Sequence, residues 1–188
     1  MSDLQGLLER IVRLLDAAGV PFMIAGSVAS AAHGLPRTTQ DVDVVIDPPD
    51  QAALETFVRS LPDEVYYVDA DAARDAYRRR SMFNVIDQTS GWKVDFIVRK
   101  GRAFSRAEFD RRTELLLLGV RVFVATPEDT IVAKLEWSKQ GGGSQRQRRD
   151  IAGILATMGA DLDHAYLEQW IADLDLTDEW ALARTTET

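Results

Sequence analysis

Two short stretches of this chain carry acids inside what would otherwise be purely apolar strands. In Asp41-Val42-Asp43-Val44-Val45-Ile46, strand alternation points Asp41 and Asp43 one way while Val42 and Val44 point into a core. The two Cα atoms then stand about 6.5–7 Å apart, from a rise of roughly 3.3 Å per residue. Carboxylates that close repel each other unless a cation neutralises them. Hard divalent cations with oxygen ligands are the usual answer, and Mg²⁺ takes one or two carboxylates plus phosphate oxygens. A second stretch, Trp92-Lys93-Val94-Asp95-Phe96-Ile97-Val98, repeats the pattern with one acid. Laid beside the first, it brings Asp95 to the same face, as general base or as ligand to a second metal. Two metals about 3.5–4 Å apart clamp the attacking and leaving oxygens of an in-line phosphoryl displacement, and three acids on two strands suit that chemistry. Asp87, on a neighbouring predicted strand, competes with Asp95 for the third place. Asp47 shares parity with Asp41 and Asp43, but before Pro48-Pro49 it reads as a strand-end acid or cap.

Around these strands the chain is punctuated in an α/β (α+β) manner. Leu4, Leu7, Leu8, Ile11, Leu14 and Leu15 recur at helical spacing after a Ser2-Asp3 start and before Gly19. A strand at Pro21 to Ala25 breaks at Gly26-Ser27 into a short helix that ends at Gly34. Further strands are expected at 65–68, 82–87, 114–118 and 120–124, with hairpin turns at Gln88-Thr89-Ser90-Gly91 and Gly119. Helices are expected at 50–60, 69–80 and 104–112. From Thr126-Pro127-Glu128-Asp129, a cap followed by proline and first-turn acids, the pattern turns wholly helical. Gly141-Gly142-Gly143-Ser144 reads as a flexible loop between two of these helices. The plan is a mixed-sheet α/β core over residues 1–125 flanked by helices. A helical region over 126–188 is expected to pack on it as part of one unit.

Composition removes several function classes. There is no cysteine, hence no disulfide framework and no thiolate metal site. No apolar stretch approaches the length of a membrane span. The amino-terminal segment mixes charges through its leucines, so it reads as a helix and not a signal peptide, which makes a cytoplasmic location the expectation. The formal charge is −8, from 22 basic and 30 acidic residues, which argues against an extensive nucleic-acid surface. Three local basic clusters (Arg78-Arg79-Arg80, Arg99-Lys100-Gly101-Arg102 and Arg146-Gln147-Arg148-Arg149) read first as solvated faces. His33 reads as a helix-surface or packed residue, and Trp92, Trp137, Trp170 and Trp180 as packing before base-stacking platforms.

A strand that ends in Gly26-Ser27 and runs into a helix leaves backbone N–H groups and a hydroxyl facing outward, which favours phosphate. Arg37, just before the acids, is placed to offset triphosphate charge. With Ile24-Ala25-Gly26-Ser27, thirteen intervening residues, Asp41-Val42-Asp43 and then Val94-Asp95-Phe96, the chain resembles the DNA polymerase β-type nucleotidyltransferase superfamily. The run from Arg37 to Asp43, the Lys134 helix and the Arg148-Arg149-Asp150 helix look closer to its AbiEii-like prokaryotic branch, which includes toxins of toxin–antitoxin pairs. The resemblance implies a nucleotidyltransferase fold and transfer of an NMP from an NTP such as ATP. It implies Mg²⁺ (or Mn²⁺) on Asp41 and Asp43, a third acid at Asp95, phosphates at Gly26-Ser27, and Lys134 as a further phosphate contact. The acceptor it implies is a tRNA or other RNA end, a protein, or a small-molecule hydroxyl, and an antitoxin is a possible partner. The competing expectation is a catalytically silent nucleotide-binding or partner-binding module of the same fold.

Overall fold

Apolar periodicity and capping residues divide the chain into its elements. The computed structural model describes residues 3–186. Helix α1 (Asp3–Ala17) buries Leu7, Leu8, Ile11 and Leu15 along one face; the Ser2 part of its expected start lies outside the described residues. Strand β1 (Phe22–Ala25) leads directly into α2 (Gly26–His33), followed by β2 (Asp41–Ile46), α3 (Gln51–Ser60) and β3 (Tyr66–Val68). Next come α4 (Ala70–Arg79), β4 (Met82–Asp87), β5 (Lys93–Val98), α5 (Ala103–Asp110), β6 (Thr113–Leu117) and β7 (Val120–Val124). The remainder is helical: α6 (Pro127–Gln140), α7 (Gln145–Met158), α8 (His164–Asp173) and α9 (Thr177–Arg184). Polar side chains start many of these helices by accepting orphan N–H groups: Asp50 for α3, Asp69 for α4, Thr126 for α6, Ser144 for α7 and Asp163 for α8. The glycine run at 141–143 turns the chain between α6 and α7, and the N–H of Gly143 bonds the carbonyl of Ser138.

Two compact units result. The first comprises the chain up to Ile24 together with Thr39–Val124. Its described residues form a seven-stranded mixed sheet in the order β3-β4-β5-β2-β1-β7-β6. β2 runs parallel to β5 and β1 parallel to β7, whereas β3–β4, β4–β5 and β6–β7 are antiparallel. Register and alternation put Val42, Val44 and Ile46, Val94, Phe96 and Val98, and Phe83 and Val85 on one face, and all are buried. Phe57 of α3 meets Phe96 edge-on at 5.1 Å, and Phe83 stacks on Phe96 at 5.3 Å, so the helical layer seals this face. Asp41, Asp43 and Asp95 occupy the other face. No helix among the described residues is long and apolar enough to cross a membrane.

The second unit comprises Ala25–Thr38 and the chain from Ala125 onward. The segment carrying α2 thus clusters with the carboxy-terminal helices. Val28 and Ala29 of α2, Ile131, Val132 and Leu135 of α6, Ile151 and Ile154 of α7, and Leu167 and Ile171 of α8 are buried. The start of α6 is also fastened to α8. Tyr166 donates its hydroxyl to the fully buried Asp129, and the N–H of Asp163 bonds Glu128.

The end of α2 approaches α7 backbone to backbone. A Cβ on Gly34 would lie 2.8 Å from both the carbonyl carbon of Gly153 and the nitrogen of Ile154. Neither atom can swing aside as a side chain would, so Gly34→Ala is expected to destabilise by about 1–3 kcal/mol through overpacking. Thermal unfolding of the variant should show a midpoint lowered by several degrees. An unchanged midpoint would mean that these two backbones stand farther apart.

Candidate active site

The parallel pairing of β2 with β5 sets Asp41 opposite Lys93 and Asp43 opposite Asp95. Antiparallel β4 adds Asn84 beside Asp95. Paired strands lie about 4.8 Å apart, so Asp43 and Asp95 are immediate neighbours and Asp41 stands one pleat repeat along the same face. Asp41 is exposed, Asp43 half-buried and Asp95 buried. The structure therefore brings together the three acids singled out from the sequence, through the strand pairing that reading assumed.

It also places a cation among them. Nζ of Lys93 lies 3.0 Å from Oδ2 of Asp95 and 3.5 Å from Oδ1 of Asp41. The hydrogen bond to Asp95 is the main reason the ammonium is held above the usual lysine range; burial opposes it, and the charges of Asp95 and Asp41 reinforce it. The other oxygen of Asp95, Oδ1, accepts a hydrogen bond from Nδ2 of Asn84 at 2.9 Å. Neither Lys93 nor Asn84 was singled out in the sequence. For Lys93 the signal was available, since it shares strand parity with Asp95. For Asn84 only the register reveals it.

Among the described residues, no three histidine or carboxylate side chains are arranged to hold a metal ion. The positive charge between Asp41 and Asp95 is the Lys93 ammonium. The donor chemistry nonetheless suits a hard cation: the acids offer oxygen ligands, two of them directly opposite one another on paired strands.

Asp87 does not compete for this face. It shares parity with Phe83 and Val85, is fully buried, and pairs with Nη2 of Arg10 at 2.6 Å. Its Oδ1 accepts from the N–H and hydroxyl of Thr89 and from the N–H of Ser90. Burial pushes its pKa up, but the hydrogen bonds from Thr89 and Ser90 outweigh that and hold it below the ordinary value. Asp47 pairs with Arg99 at 2.8 Å, in keeping with a strand-end acid.

The remaining candidates belong to the second unit. Gly26 opens α2 at φ +59°, a left-handed conformation that glycine adopts without a Cβ penalty. Ala25 precedes it with no side-chain cap, so the first-turn N–H groups of α2 keep the anion-binding character of a helix start. Ser27 is buried, and its carbonyl accepts from the Ser30 hydroxyl. Arg37 and Lys134 converge on Asp150: Nε of Arg37 reaches Oδ1 at 3.0 Å, and Nζ of Lys134 reaches Oδ2 at 2.6 Å. Lys134 also donates to Gln147 and is buried. His33 is packed, its Nε2–H donating to the carbonyl of Ala125 at 2.7 Å, and burial pushes its pKa down.

The other basic and aromatic residues divide. Arg78 and Arg79 pair with Asp75 on an exposed helix face. Trp170 packs edge-on against Tyr166, and Trp180 lies under Arg184. Trp137, expected to pack, is instead exposed, because it sits on the side of α6 opposite the buried Ile131 and Leu135.

No protein-family model matches the sequence, and no curated protein matches it either. Solved structures do match in fold. ANT(2'')-Ia in complex with adenylyl-2''-tobramycin superposes with a TM-score of 0.63 at 15% identity, covering 95% of this chain and 99% of that one. An antigenic nucleotidyltransferase-like protein from Paracoccidioides brasiliensis gives 0.59 at 19% identity, with 94% and 91% covered. The lincosamide antibiotic adenylyltransferase LnuA, lincomycin-bound, gives 0.52 at 14% identity, with 78% and 93% covered. At these identities the likeness is one of fold: a mixed-sheet, nucleotidyltransferase-like α/β architecture, as the resemblance in the sequence implied.

The structural assignment of Asp87 has a pH signature. A carboxylate held below 3.8 in the folded state contributes stability at neutral pH that is lost as pH falls below 3.8 and through the folded value. Asp87→Asn is expected to cost about 2 kcal/mol at neutral pH, because it removes the charge and the Oδ2 acceptor that meet Arg10 while leaving an Oδ1 that still accepts from the turn. Urea denaturation should show the gap to wild type narrowing as the pH is lowered. A gap that stays constant with pH would overturn this account of Asp87.

Proposed function

We propose that this chain is a divalent-metal-dependent nucleotidyltransferase that moves an NMP from an NTP such as ATP onto the hydroxyl of a small molecule. The observation that carries the reading is the register that sets Asp43 opposite Asp95, with Asp41 on the same face of the sheet, away from the Phe57 layer. Asp41 and Asp43 would hold Mg²⁺ or Mn²⁺, with Asp95 as a further ligand or as the base. When bound, such a cation neutralises phosphate oxygens and makes the α-phosphorus more open to attack. In the transfer, the acceptor oxygen bonds to the α-phosphorus, the bond to pyrophosphate breaks, and the hydroxyl proton passes to a carboxylate oxygen of Asp95. Asn84 holds the Asp95 carboxylate in a fixed orientation through Oδ1, which favours a base aimed in one direction. Gly26 and Ser27 take the phosphates in this reading. Arg37 and Lys134, which both reach Asp150, are assigned toward the triphosphate in the same reading.

Among acceptors, a small-molecule hydroxyl is favoured over an RNA end or a protein. Of the structures that share the fold, one holds adenylyl-2''-tobramycin and another lincomycin. A net charge of −8 repels a polyanion and attracts cationic small molecules. The toxin–antitoxin setting, with an antitoxin partner, rests on the AbiEii-like sequence features alone.

The test is incubation with Mg²⁺ and each α-labelled NTP in the presence of aminoglycoside, lincosamide, RNA and protein pools. Label is expected on a small molecule, and Asp43→Asn is expected to lower the rate by about a thousandfold, roughly 4 kcal/mol of lost transition-state stabilisation, with circular dichroism unchanged. Binding of NTP without transfer to any pool would instead support the catalytically silent module.

A further inference from the structure

We infer that Lys93 is a resident counter-cation of the carboxylate face, competing with the divalent ion for Asp41 and Asp95 so that metal binds weakly until nucleotide accompanies it. The inference rests on the metal-dependent reading above. Lys93 shares a register row with Asp41, and its amine reaches one pleat along its own strand to Asp95, touching Asp41 at 3.5 Å and Asp95 at 3.0 Å. Asp95 has its second oxygen taken by Asn84, so both of its oxygens are engaged by donors. An ion binding these carboxylates must displace the amine or lie against its charge.

Displacement is feasible. The Lys93 side chain is 35% exposed, against 53% for Asp41 and 10% for Asp95, so the Asp41 half of the pair is held weakly and the Asp95 half more firmly. An ammonium on a flexible four-carbon stem can swing away without moving the strand. The repulsion that remains between a monovalent and a divalent charge a few ångströms apart, in a solvated setting at low salt, amounts to about a tenfold loss of metal affinity. Nucleotide phosphates add oxygen ligands and negative charge, which offset that repulsion. A cross-strand ion pair that merely stabilises the sheet would leave metal affinity unaffected, and this separates the two roles.

The experiment titrates the full chain with Mn²⁺ without nucleotide at low ionic strength, reading free Mn²⁺ by electron paramagnetic resonance. Lys93→Met is expected to bind Mn²⁺ about tenfold more tightly than wild type, and Lys93→Arg, which keeps the charge, to bind as weakly as wild type. Lys93→Gln, which can still donate a hydrogen bond to Asp95, should show the same gain and stands in if the methionine variant does not fold. The gain should shrink as salt is added, and adding Asp43→Asn should abolish it. Folded Met and Gln variants that bind no more tightly than wild type, while Asp43→Asn still weakens binding, would overturn the role of Lys93 and leave the metal reading standing. Absence of Mn²⁺ binding in every variant, with ATP present as well as without it, would overturn both.

Discussion

The parallel alignment of β2 with β5 is the constraint on which the grouping of the three carboxylates depends. Pairing Asp43 with Asp95 fixes, in the same stroke, Val42 opposite Val94 and Val44 opposite Phe96. A slip by one residue would turn the acids into the layer around Phe57 and Phe96 and expose the valines. The hydrophobic effect therefore enforces the register, and the carboxylates are gathered as a consequence. Parallel strands need a crossover connection, and here the chain between β2 and β5 supplies α3, β3, α4 and β4. Those same elements deliver Phe57 to seal the apolar face and Asn84 to orient Asp95.

Gathering three acids creates an electrostatic problem that the fold answers with its own residues. Lys93 neutralises part of the charge from within the cluster, and Asn84 supplies a neutral donor. Asp87 shows the opposite solution on the opposite face: completely buried, it is matched by Arg10 and by donors of its own turn. Asp87 and Asp95 lie on adjacent strands, yet one is locked among the buried side chains by Arg10 and its own turn while the other faces away from the Phe57 layer. Parity alone separates them.

The second unit handles charge in a similar manner. Asp150 gathers Arg37 and Lys134, tying the segment after α2 to α6 and α7. The tight approach at Gly34 and Gly153 makes that junction close enough for the pairing. In the sequence Arg37 lies 113 positions from Asp150, and nothing in its local pattern announces that they meet.

Local rules accounted for most of the architecture. The strand 82–87, the turn after it, the strand 120–124 and the Thr126-Pro127 helix start all fall where alternation, capping and turn chemistry put them, because these signals act over a few residues and the structure does not override them. The common face of Asp41 and Asp43 was legible for the same reason. The meeting with Asp95 required a strand pairing that residue spacing does not encode. The discrimination against Asp87 required the parity of a third strand within that pairing. The amine of Lys93 between the acids, the grip of Asn84 on Asp95 and the convergence of Arg37 and Lys134 on Asp150 were decided only in three dimensions. Each depends on side chains brought together from distant positions, and that selection is made by how the apolar faces pack. The sequence by itself determined which acids share a strand face; the tertiary structure determined which charges answer one another, because only packing of the apolar faces brings distant strands and helices together.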